Sequence, residues 1–510
     1  NNIIKNKGEK NMFYLILSII IAVLMATYCI LRFCVFKGNE KFAKVINKIL
    51  KISVVVYACL MLVSLILPDA FALSYSKEDL ASMPARYGYA IVRWFSMVSF
   101  ICLPIAVFYK NRTIRNIAIY FCTIMTIVQI CFFKQYLIDF ISTAGRGLNS
   151  ISVISDGFKQ FLINPIFRSI WFGILMCLQL VIPVILAIQE RHVFEFKNKK
   201  EYFNFFITLP FMILSALPIY VLQHLFGYTN LIFEAYGIVH FAWIFLIVCE
   251  IIALYFIFRK RSEETKMVLL LVLSLSLIMQ YLQMFSAISI NVARLPFQLC
   301  NLGSFFILFS LITKNKHLFN FTVIINVIGV LFALASPDLD NKGLFYLYNM
   351  HFILEHGNVM VIPLLALLFG IFPRLDKTAL KDCLIGFTIY FVCVWALGTM
   401  FNAIALKTGN DFWAANYLFM FDASKAIKLL GDGVGKLFVS FKIGYGTFYP
   451  VIQLVIYAVF MAVCTLLWLS IQLIYKLKDI GKNKKQKLAS ASEVAQENNE
   501  FIENEKQDKQ

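Results

Sequence analysis

The chain has 510 residues, 60% of them hydrophobic and 15% charged, with 51 Phe and a mean hydropathy of +0.76. That composition excludes a soluble globular domain and a disordered chain, and it places the protein in the polytopic membrane class. A net charge of +18 raises nucleic acid as a partner, but the distribution of the basic residues excludes it.

Apolar runs of about 20 residues, the length that crosses a hydrocarbon core, predict helices near residues 12–36, 50–73, 90–109, 114–133, 165–189, 203–223 and 237–258 in the first part of the chain. Further runs follow near 267–286, 296–313, 319–336, 346–371, 380–401 and 450–475, about thirteen helices in all. The fold class is therefore all-α, a polytopic integral membrane bundle. Basic clusters follow every second span: Lys37, Lys41, Lys44 and Lys48; Lys110, Arg112 and Arg115; Arg191, Lys197, Lys199 and Lys200; Arg259, Lys260 and Arg261. The pattern continues with Lys314 and Lys316, then Arg374, Lys377 and Lys381, then Lys476, Lys478, Lys482, Lys484, Lys485 and Lys487. All fall on one side, which the positive-inside rule assigns to the cytoplasm. The amino terminus is then outside and the carboxyl terminus cytoplasmic, in a multi-pass protein of the cell membrane. The positive charge is a topology signal with attraction for anionic lipid head groups, so no nucleic acid partner is expected.

The 12 cysteines lie in or beside the apolar spans and imply no disulfide framework. The first apolar run is full length without a small-residue cleavage site, so no cleavable signal peptide is expected. The first residue is Asn1 rather than Met, so the natural start is expected to lie upstream.

Two parts of the chain echo each other. Arg93-Trp94-Phe95 to Tyr109-Lys110-Asn111 resembles Arg294-Leu295-Pro296-Phe297 to Thr313-Lys314-Asn315, and Val181-Ile182-Pro183-Val184 resembles Val361-Ile362-Pro363-Leu364. Gly227-Tyr228-Thr229-Asn230 likewise pairs with Gly409-Asn410-Asp411. An even number of spans separates the copies, which predicts a parallel duplication of a six-helix unit. The expected domains are residues 1–232, a degenerate copy without a polar constellation; 233–478, a seven-helix functional unit; and 479–510, a disordered cytoplasmic tail. The outer segment 402–449, with Trp413, Tyr417, Phe419, Phe421 and Phe441, reads as interfacial or re-entrant helices packed over a site.

That site is marked by polar groups inside apolar spans. His351, Glu355 and Asn358 recur at i, i+4 and i+7, one stripe of a helix, with His356 beside it. On the span at 296–313, Arg294, Gln298 and Asn301 make a similar stripe beside Cys300. Ionisable groups in hydrocarbon cost about 3 kcal/mol each and face a protein interior or a wet cavity. Both stripes fall at the outer ends of their helices, so they can face one another. A Cys beside a His is a usable nucleophile, with the imidazole accepting the thiol proton and Glu355 or Asn358 orienting the ring. His240, near the outer end of its span, is a further pocket-wall candidate, and Glu250, Gln280 and Gln283 are candidate members of the network. The competing readings are a polar network holding helices together, a proton or solute path, and a metal site. One His-x-x-x-Glu pair with a Cys elsewhere has no diagnostic ligand spacing, so no metal and no cofactor is expected. Cys300 by itself is one of many apolar-span cysteines that ordinarily pack as small core residues.

The stretch Leu295-Pro296-Phe297-Gln298-Leu299-Cys300-Asn301, the outer turn Pro337-Asp338, Glu355-His356-Gly357-Asn358, the trailing Pro363, and Asn416-Tyr417 together resemble the YwaF-type integral membrane protein family, which is transmembrane protein 164-like. The resemblance covers about residues 237–475 and leaves the first half of the chain outside the family's usual length. It implies Cys300 as acyl-accepting nucleophile and His356 as its base, because relatives in that group include a cysteine-dependent phospholipid acyltransferase. Many bacterial members place a His two residues before the Cys, where this chain has Gln298. The leading expectation is a membrane enzyme that transfers or hydrolyses acyl chains on membrane phospholipids. The alternatives are a transporter or lipid flippase with a central polar site and a noncatalytic membrane scaffold.

Overall fold

A computed structural model describes residues 2–66, 87–149, 153–189, 206–210, 212–213, 231–287, 291–335, 337, 343–344, 346–424, 427 and 431–507. The predicted span 203–223 lies largely outside these residues, as do the basic cluster at 191–200 and the Gly227–Asn230 half of the proposed repeat. Among the described residues, 11 helices are long and apolar enough to cross a membrane, so the chain is an all-helical multi-pass membrane protein. In hydrocarbon each backbone N–H and C=O must be paired within the protein, and the helix does this within one segment.

In the first half, α1 (Asn2–Ile30), α2 (Glu40–Ile66), α3 (Tyr87–Phe108), the short α4 (Arg112–Asn116), α5 (Thr123–Asn149), the short α6 (Asp156–Ile163) and α7 (Pro165–Gln189) are described. The second half contains α8 (Ile238–Phe258), α9 (Glu263–Ala287), α10 (Leu299–Thr313), α11 (Lys316–Ala335), α12 (Leu347–Leu368), α13 (Lys377–Thr408) and α14 (Pro450–Gln507). Helix α9 is the spine. It is the most buried of the candidate spans, 89% inside the bundle, and packs on α3 and α2 on one side and on α10 and α12 on the other.

The turns that carry basic residues meet at one end of the bundle. Lys314 pairs with Glu263 at 3.0 Å, Lys316 with Asp376 at 3.1 Å, and Arg374 with Asp479 at 3.0 Å. These exposed pairs contribute little stability individually but fix which turns are neighbours. Asp376 also caps α13 by accepting from the Ala379 N–H at 3.1 Å. The hydrogen bond from Lys316 holds its carboxyl below the usual carboxylate range.

Two expectations change. The region predicted as a disordered tail is helical through Gln507, continuous with the last span. Extending an existing helix avoids the nucleation step, and Lys, Gln, Glu and Ala are good helix formers. The first half is also not devoid of a polar constellation. Tyr57 on α2 donates to Gln179 Oε1 of α7 at 3.0 Å, and Gln179 Nε2 donates to Thr126 Oγ1 at 2.9 Å and to Gln129 Oε1, both on α5. Gln129 Nε2 in turn donates to the Val92 carbonyl and Ser96 Oγ of α3, each at 2.7 Å. Next to this network Arg93 and Arg168, both fully buried, line a small cavity of about 20 Å³ with Ser64, Ser96 and Tyr136, room for about one water.

Gln179 is the hub of four helices' worth of polar contact, and its replacement leaves several buried partners unsatisfied. Gln179→Leu is expected to lower stability by about 1–3 kcal/mol, read as a reduced melting temperature of the detergent-solubilised protein. Lipid-facing Ile174→Leu is expected to leave it unchanged.

Candidate functional site

The site is built on a break in the helical path. After α9 the chain makes a 3-10 turn at Val292–Arg294, and Leu295 and Gln298 are extended, with ψ of 151° and 146°. Pro296 enforces this, because the residue before a proline is pushed out of the helical region. Helix α10 therefore starts only at Leu299 and has 15 residues, about 22 Å long, against a hydrocarbon core of about 30 Å. Its first turn, which holds Cys300 and Asn301, begins within the bundle. The expected Arg294, Gln298 and Asn301 helical stripe is corrected accordingly, since only Asn301 of the three is helical.

Non-helical backbone at membrane depth is tolerated only where protein groups satisfy it. Here three tyrosines do so. Tyr417 donates to the Val292 carbonyl, Tyr281 to that of Arg294 at 2.5 Å, and Tyr390 to that of Phe297 at 2.8 Å. The Gln298 side chain does not cap its own helix. It crosses to the outer segment instead, donating to the Asn416 carbonyl at 3.1 Å and accepting from the Leu418 N–H at 3.2 Å. That clasp holds Leu418 and Phe419 at φ of 51° and 57°, a left-handed conformation that non-glycine residues keep only when their surroundings impose it. Asn416 Oδ1 completes the clasp by accepting from the N–H groups of Phe421 and Asp422 at 3.0 and 3.1 Å. The outer segment, expected as interfacial helices, includes 3-10 turns at Asp411–Trp413, Tyr417–Phe419 and Asp432–Leu437 and a hairpin of β1 (Phe441–Ile443) and β2 (Gly446–Phe448).

Opposite the start of α10 stands α12. His351 and Glu355 lie one turn apart, with His351 Nε2 2.7 Å from Glu355 Oε2, and Glu355 is only 1% exposed. With its NH₂ turned toward α12, the Asn301 amide donates to both Glu355 oxygens, at 3.0 and 2.5 Å. The same arm of that amide lies 3.6 Å from Cys300 Sγ. Cys300 is a half-buried free thiol, and the backbone N–H groups of Cys300 and Asn301, at the open start of the helix, lie against its sulfur. Tyr281 of α9 lies within electrostatic reach of Glu355, Arg294 and Cys300 together. Thus Cys300, Asn301, His351 and Glu355 form one group, and Gln298 ties the stretch just before it to the segment around Leu418.

The remaining candidates lie elsewhere on α12 and α8. His356 Nδ1 faces the Phe352 carbonyl of its own helix at 2.9 Å, and its ring packs on Phe352 at 4.3 Å. Phe352 in turn meets Trp243 of α8, the helix that Gly357 also touches. One residue is 100° of helix, so His356 turns toward α8 while Glu355 turns toward α10. Asn358 donates to the Leu354 carbonyl of its own helix at 3.0 Å. His240 is buried on α8, accepts from the Tyr236 N–H at 3.0 Å through Nδ1, and sits among the rings of Phe233 and Trp243. Gln280 is buried on α9, Glu250 lies on α8, and the side chain of Gln283 is outside the described residues. Among the described residues no group of three or more His, Cys, Asp or Glu is arranged to hold a metal ion.

Comparison with known proteins places this unit. Residues 235–469 match the TMEM164 family. The TMEM164-family segment thus begins just before α8 and ends within α14, and it includes Cys300, Glu355 and His356. No curated protein and no solved structure matches the chain.

Sequence reasoning missed Tyr281 and Tyr390, and it read Tyr417 as an aromatic packed over the site without assigning its hydroxyl a partner. Their signal was a hydroxyl on an otherwise apolar element, which needs a partner when buried. Removing one exposes its role: Tyr390→Phe is expected to cost about 1–3 kcal/mol, read by thermal unfolding, because the Phe297 carbonyl loses its donor. Helix α10 also approaches α11 at Gly303, where a Cβ would lie 2.2 Å from Asn326 Oδ1. Gly303→Ala is therefore expected to destabilise by about 1–3 kcal/mol in the same assay. Gly481→Ala, whose Cβ meets nothing within 4 Å, serves as the neutral control.

Proposed function

We propose that the chain is an integral membrane enzyme that transfers or hydrolyses acyl chains on membrane phospholipids, with Cys300 as the nucleophile. The observation that carries this reading is the placement of a half-buried thiol on the first turn of a short helix inside the bundle, with backbone N–H groups against its sulfur. These N–H groups are suited to receive an oxyanion. Sulfur attacks the ester carbonyl of a lipid, the C–S bond forms as the C–O bond breaks, and the displaced alkoxide takes up the thiol's proton. A thioester on Cys300 and a deacylated lipid result. A second lipid alcohol then attacks the thioester to give a new ester, or water attacks to give a free acid, and the thiol is restored.

The fit of the TMEM164-family segment to an enzyme of this kind also rests on location, since a lipid ester reaches a site at this depth without leaving its leaflet. A second reading, transport or flipping of a lipid, draws support from the buried polar network of the first half, because repeats that alternate access usually both contribute to the path.

Reconstitution into liposomes with isotope-labelled diacyl phospholipid and unlabelled lysophospholipid distinguishes the two. The expected result is transfer or release of the labelled chain, accompanied by an acyl mass on the Cys300 peptide that neutral hydroxylamine removes. Cys300→Ser is expected to reduce turnover by at least about 10³-fold with normal folding. Undiminished turnover in that variant, or movement of intact lipid between leaflets with no chemical change, overturns the proposal.

A further inference from the structure

We propose that Glu355 takes the thiol proton of Cys300 during acyl transfer, with Asn301 and His351 as the positioning residues that aim its carboxylate. The inference rests on the acyl-transfer reading and deepens it by assigning the base.

The geometry points to the carboxylate for three reasons. Glu355 shares the Asn301 amide with the thiol: the arm that lies 3.6 Å from Sγ donates to the carboxylate oxygens at 2.5 and 3.0 Å. These contacts bound the separation of sulfur and carboxylate at about 6 Å, a span that one water molecule or a small side-chain rotation closes. Second, two groups on different helices fix the orientation of the Glu355 side chain. His351 Nε2 lies 2.7 Å away on the preceding turn, and Asn301 approaches from the facing helix. Third, one nitrogen of the imidazole next in sequence is taken up by its own helix. His356 Nδ1 faces the Phe352 carbonyl, and its ring is stacked on the side of α12 that meets α8.

The step balances as follows. As sulfur bonds to the ester carbonyl carbon, the S–H proton passes to a Glu355 oxygen and the carbonyl π electrons move to oxygen, where the N–H groups at the start of α10 receive the charge. Collapse re-forms the carbonyl and breaks the C–O bond. The leaving alkoxide recovers the proton from Glu355, which returns to its carboxylate form between His351 and Asn301. In this scheme the negative charge leaves Glu355 as it appears on the substrate oxygen, so the buried site never holds two anions. Two like charges this close oppose one another, so in this scheme proton transfer to Glu355 accompanies attack by the sulfur.

This opposition supplies a test that separates the base from a structural residue and the inference from the broader proposal. The full-length protein in lipid nanodiscs is treated with iodoacetamide across a pH series, and alkylation of the Cys300 peptide is followed by mass spectrometry alongside acyl transfer. Glu355→Gln, which is nearly isosteric, is expected to alkylate about tenfold faster at neutral pH, as for a shift of one unit in the thiol. The same variant is expected to transfer acyl chains at least about 10²-fold more slowly. Asn301→Ala retains the carboxylate but removes the amide from the sulfur. It is expected to slow both alkylation and transfer, and it serves as the second variant if Glu355→Gln does not fold. Ile174→Leu, on an exposed face of α7, is expected to leave the alkylation profile in place.

A Glu355→Gln protein that transfers normally, or whose Cys300 alkylates no faster than the wild type, overturns the inference. So does an Asn301→Ala protein with an unchanged profile. If Glu355→Gln accelerates alkylation while the wild type transfers no acyl chain to any lipid, the thiol–carboxylate coupling stands and the acyl-transfer reading fails.

Discussion

A carboxylate at 1% exposure inside a membrane bundle is the constraint around which the second half of this protein is arranged. An isolated ionised carboxylate in a low-dielectric interior costs far more than a folded domain can offset, so it must be paired and hydrogen-bonded. Glu355 meets this demand with one partner on its own helix, His351, and one on another, Asn301. The second partner can reach only if the start of α10 is brought level with the middle of the His351–Glu355 turn. The half-length helix, the irregular Leu295–Gln298 segment and the placement of Cys300 are all compatible with that register.

Breaking a helix at membrane depth creates its own debt of unpaired backbone groups, and the structure settles it with side chains from three different elements. Tyr281, Tyr390 and Tyr417 donate to consecutive turns of the broken segment, while Gln298 fastens that segment to the outer strap around Leu418. These contacts come from three elements, so the site depends on α9, α13 and the strap being packed together. Gly398 permits the last of these approaches, for a Cβ there would lie 2.3 Å from the Phe421 ring. The dense polar content near Cys300 is thus part support for irregular backbone and part chemistry. The aromatic rings and carbonyl partner around His356 belong to the other face of α12.

The first half follows the same physical rule with different chemistry. Its buried amides and hydroxyls on α2, α3, α5 and α7 satisfy one another in a closed network, and α9 packs against both halves. Polar groups therefore lie on both sides of the spine. In the first half they are neutral amides and hydroxyls with two arginines beside them; in the second they include a carboxylate and an imidazole. Residues 235–469, the segment that matches the TMEM164 family, hold the second of these sets.

Sequence alone determined the class of the protein, the approximate spans and the turn-by-turn pairing of His351 with Glu355, because hydropathy and the 3.6-residue period are local properties of the chain. The gathering of basic turns at one end was legible for the same reason. What only the tertiary structure decided was which stripe faces which helix. Asn301 of α10 reaches Glu355 of α12, and Tyr390, Tyr417 and Gln298 tie the irregular stretch before α10 to α13 and to the segment around Leu418. Those outcomes depend on contacts between residues more than 50 positions apart, where low dielectric makes every unmatched polar group costly and so selects one packing among several that the local pattern allows.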